Sequence, residues 1–175
     1  MLVNAQINTF VVQSKNKPLH HALLLLSPSS RSGLLSDRLF VIAEIPLSRG
    51  AGNIRAESAR LFGSQLFSHY KECKNEHSES SDCFEKLIEW ANRHAEQFLE
   101  RTQGENASTI LIGCISGEKL FFSISGSPSA LIYFKDGETF HEIDLIKMYG
   151  GGERENSITP FFYTLISGEL HTDNY

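Results

Sequence analysis

The spacing of apolar residues divides the chain into stretches of two kinds. Ala5 to Gln13 (AQINTFVVQ), Ala22 to Leu26 and Leu39 to Glu44 (LFVIAE) are short apolar or β-branched runs, and each predicts a strand. Ser27-Pro28-Ser29-Ser30-Arg31-Ser32-Gly33 is turn-forming and links the second run to the third. After a loop at Pro46 to Gly52 the period changes. Ala59, Phe62, Leu66 and Tyr70, with Gly63 and Phe67 beside them, recur at three and four and predict a helix over about 53–71. A polar connector, Lys74 to Ser81, leads to a second helix over about 82–103. Asp82 is its expected cap, Glu85 the capping-box partner and Gly104 the stop. Phe84, Leu87, Ile88, Ala91, Ala95, Phe98 and Leu99 form its apolar stripe.

Alternation then returns. Thr109 to Ser116 and Lys119 to Ser125 flank a tight turn at Gly117-Glu118, and Ala130 to Phe134 and Thr139 to Ile143 flank a hairpin signal at Asp136-Gly137. Gly150 to Asn156 reads as a loop, and Phe161 to Ser167 as a last strand. The order is strands, two helices, then a run of antiparallel strands. It predicts a single α+β domain over 1–175, with sheets packed face to face and helices outside.

Composition narrows the function classes. With a net charge of −5 and 16 scattered basic residues, the chain lacks the clustered cations that nucleic acid or an anionic membrane surface requires. The longest apolar run, Ala22 to Leu26, is far below the about 18 residues of a membrane span, and the Met1-Leu2-Val3-Asn4 start has no signal-peptide character. Cys73, Cys83 and Cys114 form no close pair or knuckle, so they are expected to stay unpaired in a reducing, cytoplasmic compartment. Cys73 and His77 lie four apart with no second pair to complete a zinc site, and a helix end running into a loop explains them better. Cys114, among Leu111, Ile112 and Ile115, is expected to pack as a small hydrophobe rather than act as a nucleophile.

Three stretches in order resemble the metal-dependent protein serine/threonine phosphatases of the PPM type (type 2C-like). The first is Asp37-Arg38-Leu39-Phe40-Val41-Ile42-Ala43-Glu44, followed by a Gly-bearing loop and a helix. The second runs from Ala107-Ser108-Thr109-Ile110 through Gly117-Glu118 to Gly126-Ser127-Pro128-Ser129. The third is Ile166-Ser167-Gly168-Glu169-Leu170, with Asp173 soon after. The resemblance implies a four-layer αββα sandwich of mainly antiparallel sheets. It also implies a site in which carboxylates hold two Mg²⁺ or Mn²⁺ ions that activate a bridging water.

This chain departs from the pattern at the positions that matter. His21 stands where a metal-binding Asp belongs. The family's Asp-Gly-x-Gly-Gly becomes Glu44-Ile45-Pro46-Leu47-Ser48, with Ile45 replacing the glycine that offers its carbonyl. Ser127 replaces the acid of Gly-Asp-Ser-Arg. The resemblance places the remaining family acids beyond Tyr175, so Glu44 is the one carboxylate expected to survive. Glu44 can also be read as a strand-ending acid that caps and solvates. No catalytic residue, metal or cofactor is therefore expected, and the domain is expected to act as an inactive, protein-binding or regulatory pseudophosphatase.

The rival is an active phosphatase completed by residues after 175 or by a second chain. A third class uses the fold only for assembly, with self-association through exposed sheet edges. The expected partner is another protein, such as one carrying a phosphorylated segment, because Lys15, Lys17 and Arg49, with His20 and His21, would make a mildly positive rim opposed only by Glu44. His20-His21 does not form a chelating pair, since adjacent strand residues point to opposite faces. Nor do Gly150 to Gly152 make a phosphate loop, lacking the following Lys-Ser/Thr.

Overall fold

Stretches of period two form antiparallel ladders, and the two of helical period form helices covering one side of them. The computed structural model describes residues 20–26, 37–46, 52–76, 79–98, 108–126, 131–136, 139–144, 161–162 and 164–169. In chain order these are β1 (His20–Leu26), β2 (Arg38–Pro46), α1 (Gly52–Asn75), α2 (Ser80–Phe98), β3 (Thr109–Ser116), β4 (Lys119–Ser125), β5 (Leu131–Asp136), β6 (Thr139–Asp144) and β7 (Thr164–Glu169). Five strands form one sheet in the order β1-β2-β3-β4-β7, antiparallel throughout, and β5 and β6 pair as a second, two-stranded sheet. The structure is thus a mixed helix and antiparallel-sheet fold. Its described residues give one helical layer on the five-stranded sheet, without the full four layers expected. No helix among them is long and apolar enough to cross a membrane.

Alternation decides what each face of the sheet does. Leu39, Val41, Ala43 and Ile45 of β2 and Ile110, Ile112 and Cys114 of β3 point to the helices and join one core. From the helices, Ala59, Phe62, Leu66 and Tyr70 meet Phe84, Leu87, Ile88, Ala91 and Ala95, the two stripes visible in the sequence. Phe122, Ile124 and Ile166 gather on the opposite face with Leu111 and Leu120. Asn92 fixes one more piece of the core. Its amide donates to the Phe162 carbonyl (3.0 Å) and accepts from the Phe162 N–H (2.7 Å), which brings the Phe162 ring into a stack on Phe62.

Several boundaries differ from expectation for identifiable reasons. Helix α1 runs four residues past 71, because Cys73 is buried and Lys74 finds a carboxylate near the helix end. Helix α2 begins at Ser80, so Asp82 lies within its first turn, where its charge favours the helix dipole, and does not cap it. The last strand starts at Thr164, and Phe161-Phe162 forms a bend. The expected Ala5–Gln13 strand and the stop at Gly104 lie outside the described residues.

The cysteine expectation is corrected outright. Cys73, in the last turn of α1, is disulfide-bonded to Cys83 in the first turn of α2, with Cα atoms 5.6 Å apart. Sequence spacing concealed this because the ten-residue separation includes a reversal of chain direction between two helices. The reducing compartment, inferred from unpaired cysteines, loses its basis. Closing a loop of that length stabilises the fold by about 3 kcal/mol through the unfolded chain's lost entropy.

Gly113 carries the closest packing in the sheet. It is the register partner of Phe40, whose ring lies across the glycine in the space a Cβ would occupy. Gly113→Ala is expected to destabilise the protein by about 1–3 kcal/mol through overpacking. In a Phe40→Ala background the same change should cost much less. Urea denaturation of the four proteins in this cycle checks it, and an equal cost in both backgrounds would contradict the packing account.

Candidate functional site

The ladder registers bring three of the residues singled out in the sequence, His21, Glu44 and Ile45, to one end of the five-stranded sheet. His21 is the β1 partner of Ile45, and Glu44 is flanked by Ala22 on β1 and Thr109 on β3. Ser125, paired with Ile110, precedes Gly126, which turns away with φ 87°. A Cβ on Gly126 would lie 2.7 Å from the Ser108 carbonyl oxygen and 3.0 Å from Thr109 Oγ1. Both constraints require glycine, and together they hold Gly126 against the strand neighbouring Glu44. Ser127, Lys15, Lys17 and Arg49 lie outside the described residues.

The two neighbouring β2 residues have different roles. Ile45 faces the helices, 2% exposed, and is part of the main core. Glu44 is exposed on the opposite face. A binuclear Mg²⁺ or Mn²⁺ centre needs several anionic oxygens converging on it. At this end the described positions offer one exposed carboxylate, Glu44, beside an isoleucine buried in the core. Among the described residues no three His, Cys, Asp or Glu side chains are grouped to hold a metal ion.

The opposite end of the sheet holds a polar cluster that sequence reasoning missed. Asp37, just before β2, accepts hydrogen bonds at Oδ2 from Tyr70 Oη (2.8 Å) and Ser80 Oγ (2.9 Å) and pairs with Lys74 Nζ at 3.2 Å. Lys74 also donates to Ser80 Oγ (2.9 Å), and Ser116 Oγ lies 2.8 Å from the same oxygen. Tyr70 Oη is 3.2 Å from Cys114 Sγ. The tyrosine's single proton is committed to the carboxylate, so the thiol is the donor between them.

Burial pushes the Asp37 carboxyl up, but hydrogen bonds from Ser116, Tyr70, Ser80 and Lys74 outweigh it, and the group lies below its ordinary 3.8. Burial likewise raises the Tyr70 phenol, with Cys114 and Asp37 adding to the effect. The Cys114 thiol is pushed up to about 12, chiefly by burial. Cys114 is therefore a protonated, buried thiol, in line with its expected packing role, although it also holds a hydrogen bond.

The signals for this cluster were present but dispersed. Tyr70 and Cys114 looked like core residues, Asp37 like the start of a strand motif, and Lys74 and Ser80 like connector polarity. Only the helix reversal and the strand register bring all of them within hydrogen-bonding distance.

No family model matches the chain, and no curated protein matches it. Among solved structures it is similar to the PP2C phosphatase domain, with a fragment of the regulatory domain, of the cell fate determinant SpoIIE from Bacillus subtilis. The identity is 14% and the TM-score 0.42. The likeness covers 89% of this chain and 44% of that one, so this chain spans less than half of that chain's length.

The Asp37 carboxyl, held below its unfolded value, contributes stability that is full above 3.8 and is lost as pH falls through the folded-state value. At neutral pH, Asp37→Asn is expected to cost about 2–3 kcal/mol. The gap between wild type and variant should close below about pH 4. Denaturant titrations across that range check this, and a gap independent of pH would contradict it.

Proposed function

We propose that this chain is a PPM-type phosphatase-like domain without metal-dependent hydrolysis, serving as a protein-binding or regulatory module. The observation that carries the reading is the placement of His21, Glu44 and Ile45 at one end of the five-stranded sheet, with His21 paired to the buried Ile45 and Glu44 exposed on the opposite face. The sequence resemblance matches His21, Glu44, Ile45 and Ser127 to the metal cluster, and of these Glu44 alone keeps a carboxylate. Phosphoester hydrolysis of this type depends on two ions to generate a nucleophile and neutralise phosphoryl oxygens. Of the four matched positions Glu44 alone offers a carboxylate, which is too few anionic oxygens to hold such a pair. The four-layer sandwich, with its second sheet facing the Glu44 side, belongs to the same proposal.

The module's partner is another protein. Replacing acids while keeping Lys15, Lys17 and Arg49 leaves a rim suited to an anionic segment such as a phosphorylated loop. Fold and chemistry are separable, and a scaffold shaped to receive a phosphorylated chain can outlast its catalysis.

The test pairs an assay with a titration. With a generic aryl phosphate in millimolar Mn²⁺, turnover should not exceed the blank; metal-dependent turnover abolished by Glu44→Ala would overturn the proposal. Inorganic phosphate and a phosphopeptide should shift NMR resonances near residues 15–21 and 44–52. The effect should be stronger at low salt and reduced by combined Lys17→Ala and Arg49→Ala. Absence of shifts at millimolar ligand would remove the anion rim and leave a partner bound through other surfaces.

A further inference from the structure

We propose that the Cys73–Cys83 disulfide is a redox switch that sets whether the Asp37 network stays closed over Cys114. The bond joins the two helix ends that supply the network. On α1, Cys73 adjoins Lys74 and lies three residues after Tyr70; on α2, Cys83 lies three residues after Ser80. Residues three apart share a helix face, so the disulfide lies on the side of each helix that presents Tyr70 and Ser80. Three donors to Asp37 thus come from chain ends whose spacing the disulfide fixes.

That coupling has a consequence for both ends of the hydrogen-bond chain. Asp37 is a partly buried carboxylate whose ionised form is favoured by the donors around it. If the helix ends separate, Lys74 and Ser80 are the first to withdraw. The carboxylate then recruits water, and Tyr70 loses the acceptor that orients its hydroxyl. Cys114, fully buried in the main core between Leu39 and Phe121, donates to Tyr70 and is closed off on that side by the arrangement. It is the remaining thiol among the three cysteines, so its reactivity reports whether the network is closed.

The switch works by thiol–disulfide exchange with a dithiol. Both sulfurs are buried, so exchange follows fraying of the helix ends. One thiolate of the dithiol attacks Cys73 Sγ, the S–S bond breaks, and Cys83 leaves as a thiolate that takes a proton from water. The second dithiol sulfur then attacks the mixed disulfide and releases Cys73 as a thiol. Two electrons and two protons pass from the dithiol, which ends as a cyclic disulfide, and the reverse exchange restores the protein bond.

The experiment compares labelling of Cys114 by a maleimide in the oxidised and dithiol-reduced protein, read by peptide mass mapping. Air-exposed protein should show one free thiol when denatured and three after reduction. Cys114 should label at least about tenfold faster after reduction, with helical circular dichroism retained. Combined Cys73→Ser and Cys83→Ser should label at the reduced rate with or without dithiol. Asp37→Asn should speed labelling while the disulfide stays intact, which ties the effect to the network. Should the double variant not fold, the wild-type comparison decides alone. An unchanged Cys114 rate, loss of the helical signal on reduction, or three free thiols in air-exposed protein would overturn the proposal.

Discussion

A partly buried carboxylate at the junction of four elements holds this fold in its observed form. Asp37 enters β2, Ser116 ends β3, Tyr70 and Lys74 lie near the end of α1, and Ser80 opens α2. Hydrophobic stripes alone would let two amphipathic helices slide along the sheet, since burial is non-directional. Hydrogen bonds to one ionised oxygen admit a single register of helices on strands. The Cys73–Cys83 bond lies at the same corner and constrains the same helix ends. Burial supplies most of the stabilising free energy, and the Asp37 corner fixes the position of the helix pair that covers the sheet.

The corner lies at the far end of the sheet from Glu44. Arg38 and Glu44 lie six residue steps apart along β2, roughly 20 Å of extended chain. Changes at one end therefore leave the other largely undisturbed, and substitutions so separated are expected to be additive. This separation makes the proposed loss of chemistry physically inexpensive. A metal-binding end can exchange acids for other residues while the anchoring end keeps the fold. Ile45 even reverses the usual tension between function and stability. Under the proposed reading Ile45 stands at a glycine position, and its buried side chain fills core volume, worth about 2–3 kcal/mol of apolar burial.

Local chemistry was legible in the sequence, whereas long-range chemistry was not. The two helical stripes, the Gly117-Glu118 turn and the strands Thr109–Ser116 and Lys119–Ser125 could be read because each depends on periodicity within one element. The pairing of His21 with Ile45 and of Glu44 with Ala22 and Thr109 was not legible in the sequence, since register between strands leaves no trace in spacing. The Asp37 network and the Cys73–Cys83 bond escaped both routes. Their members lie up to 79 residues apart in sequence, from Asp37 to Ser116, and each residue has an adequate local explanation by itself. Asp82 shows the same limit on a smaller scale. It was a sound cap by type, but the tertiary contacts of Ser80 started the helix two residues earlier.

The central claim is that the Glu44 end of the sheet no longer holds a pair of divalent ions. The most direct measurement is an anomalous difference map from crystals grown in millimolar Mn²⁺. The account predicts no ordered manganese within coordination distance of Glu44. Two manganese peaks about 3.5–4 Å apart, bridged by that carboxylate, would contradict it.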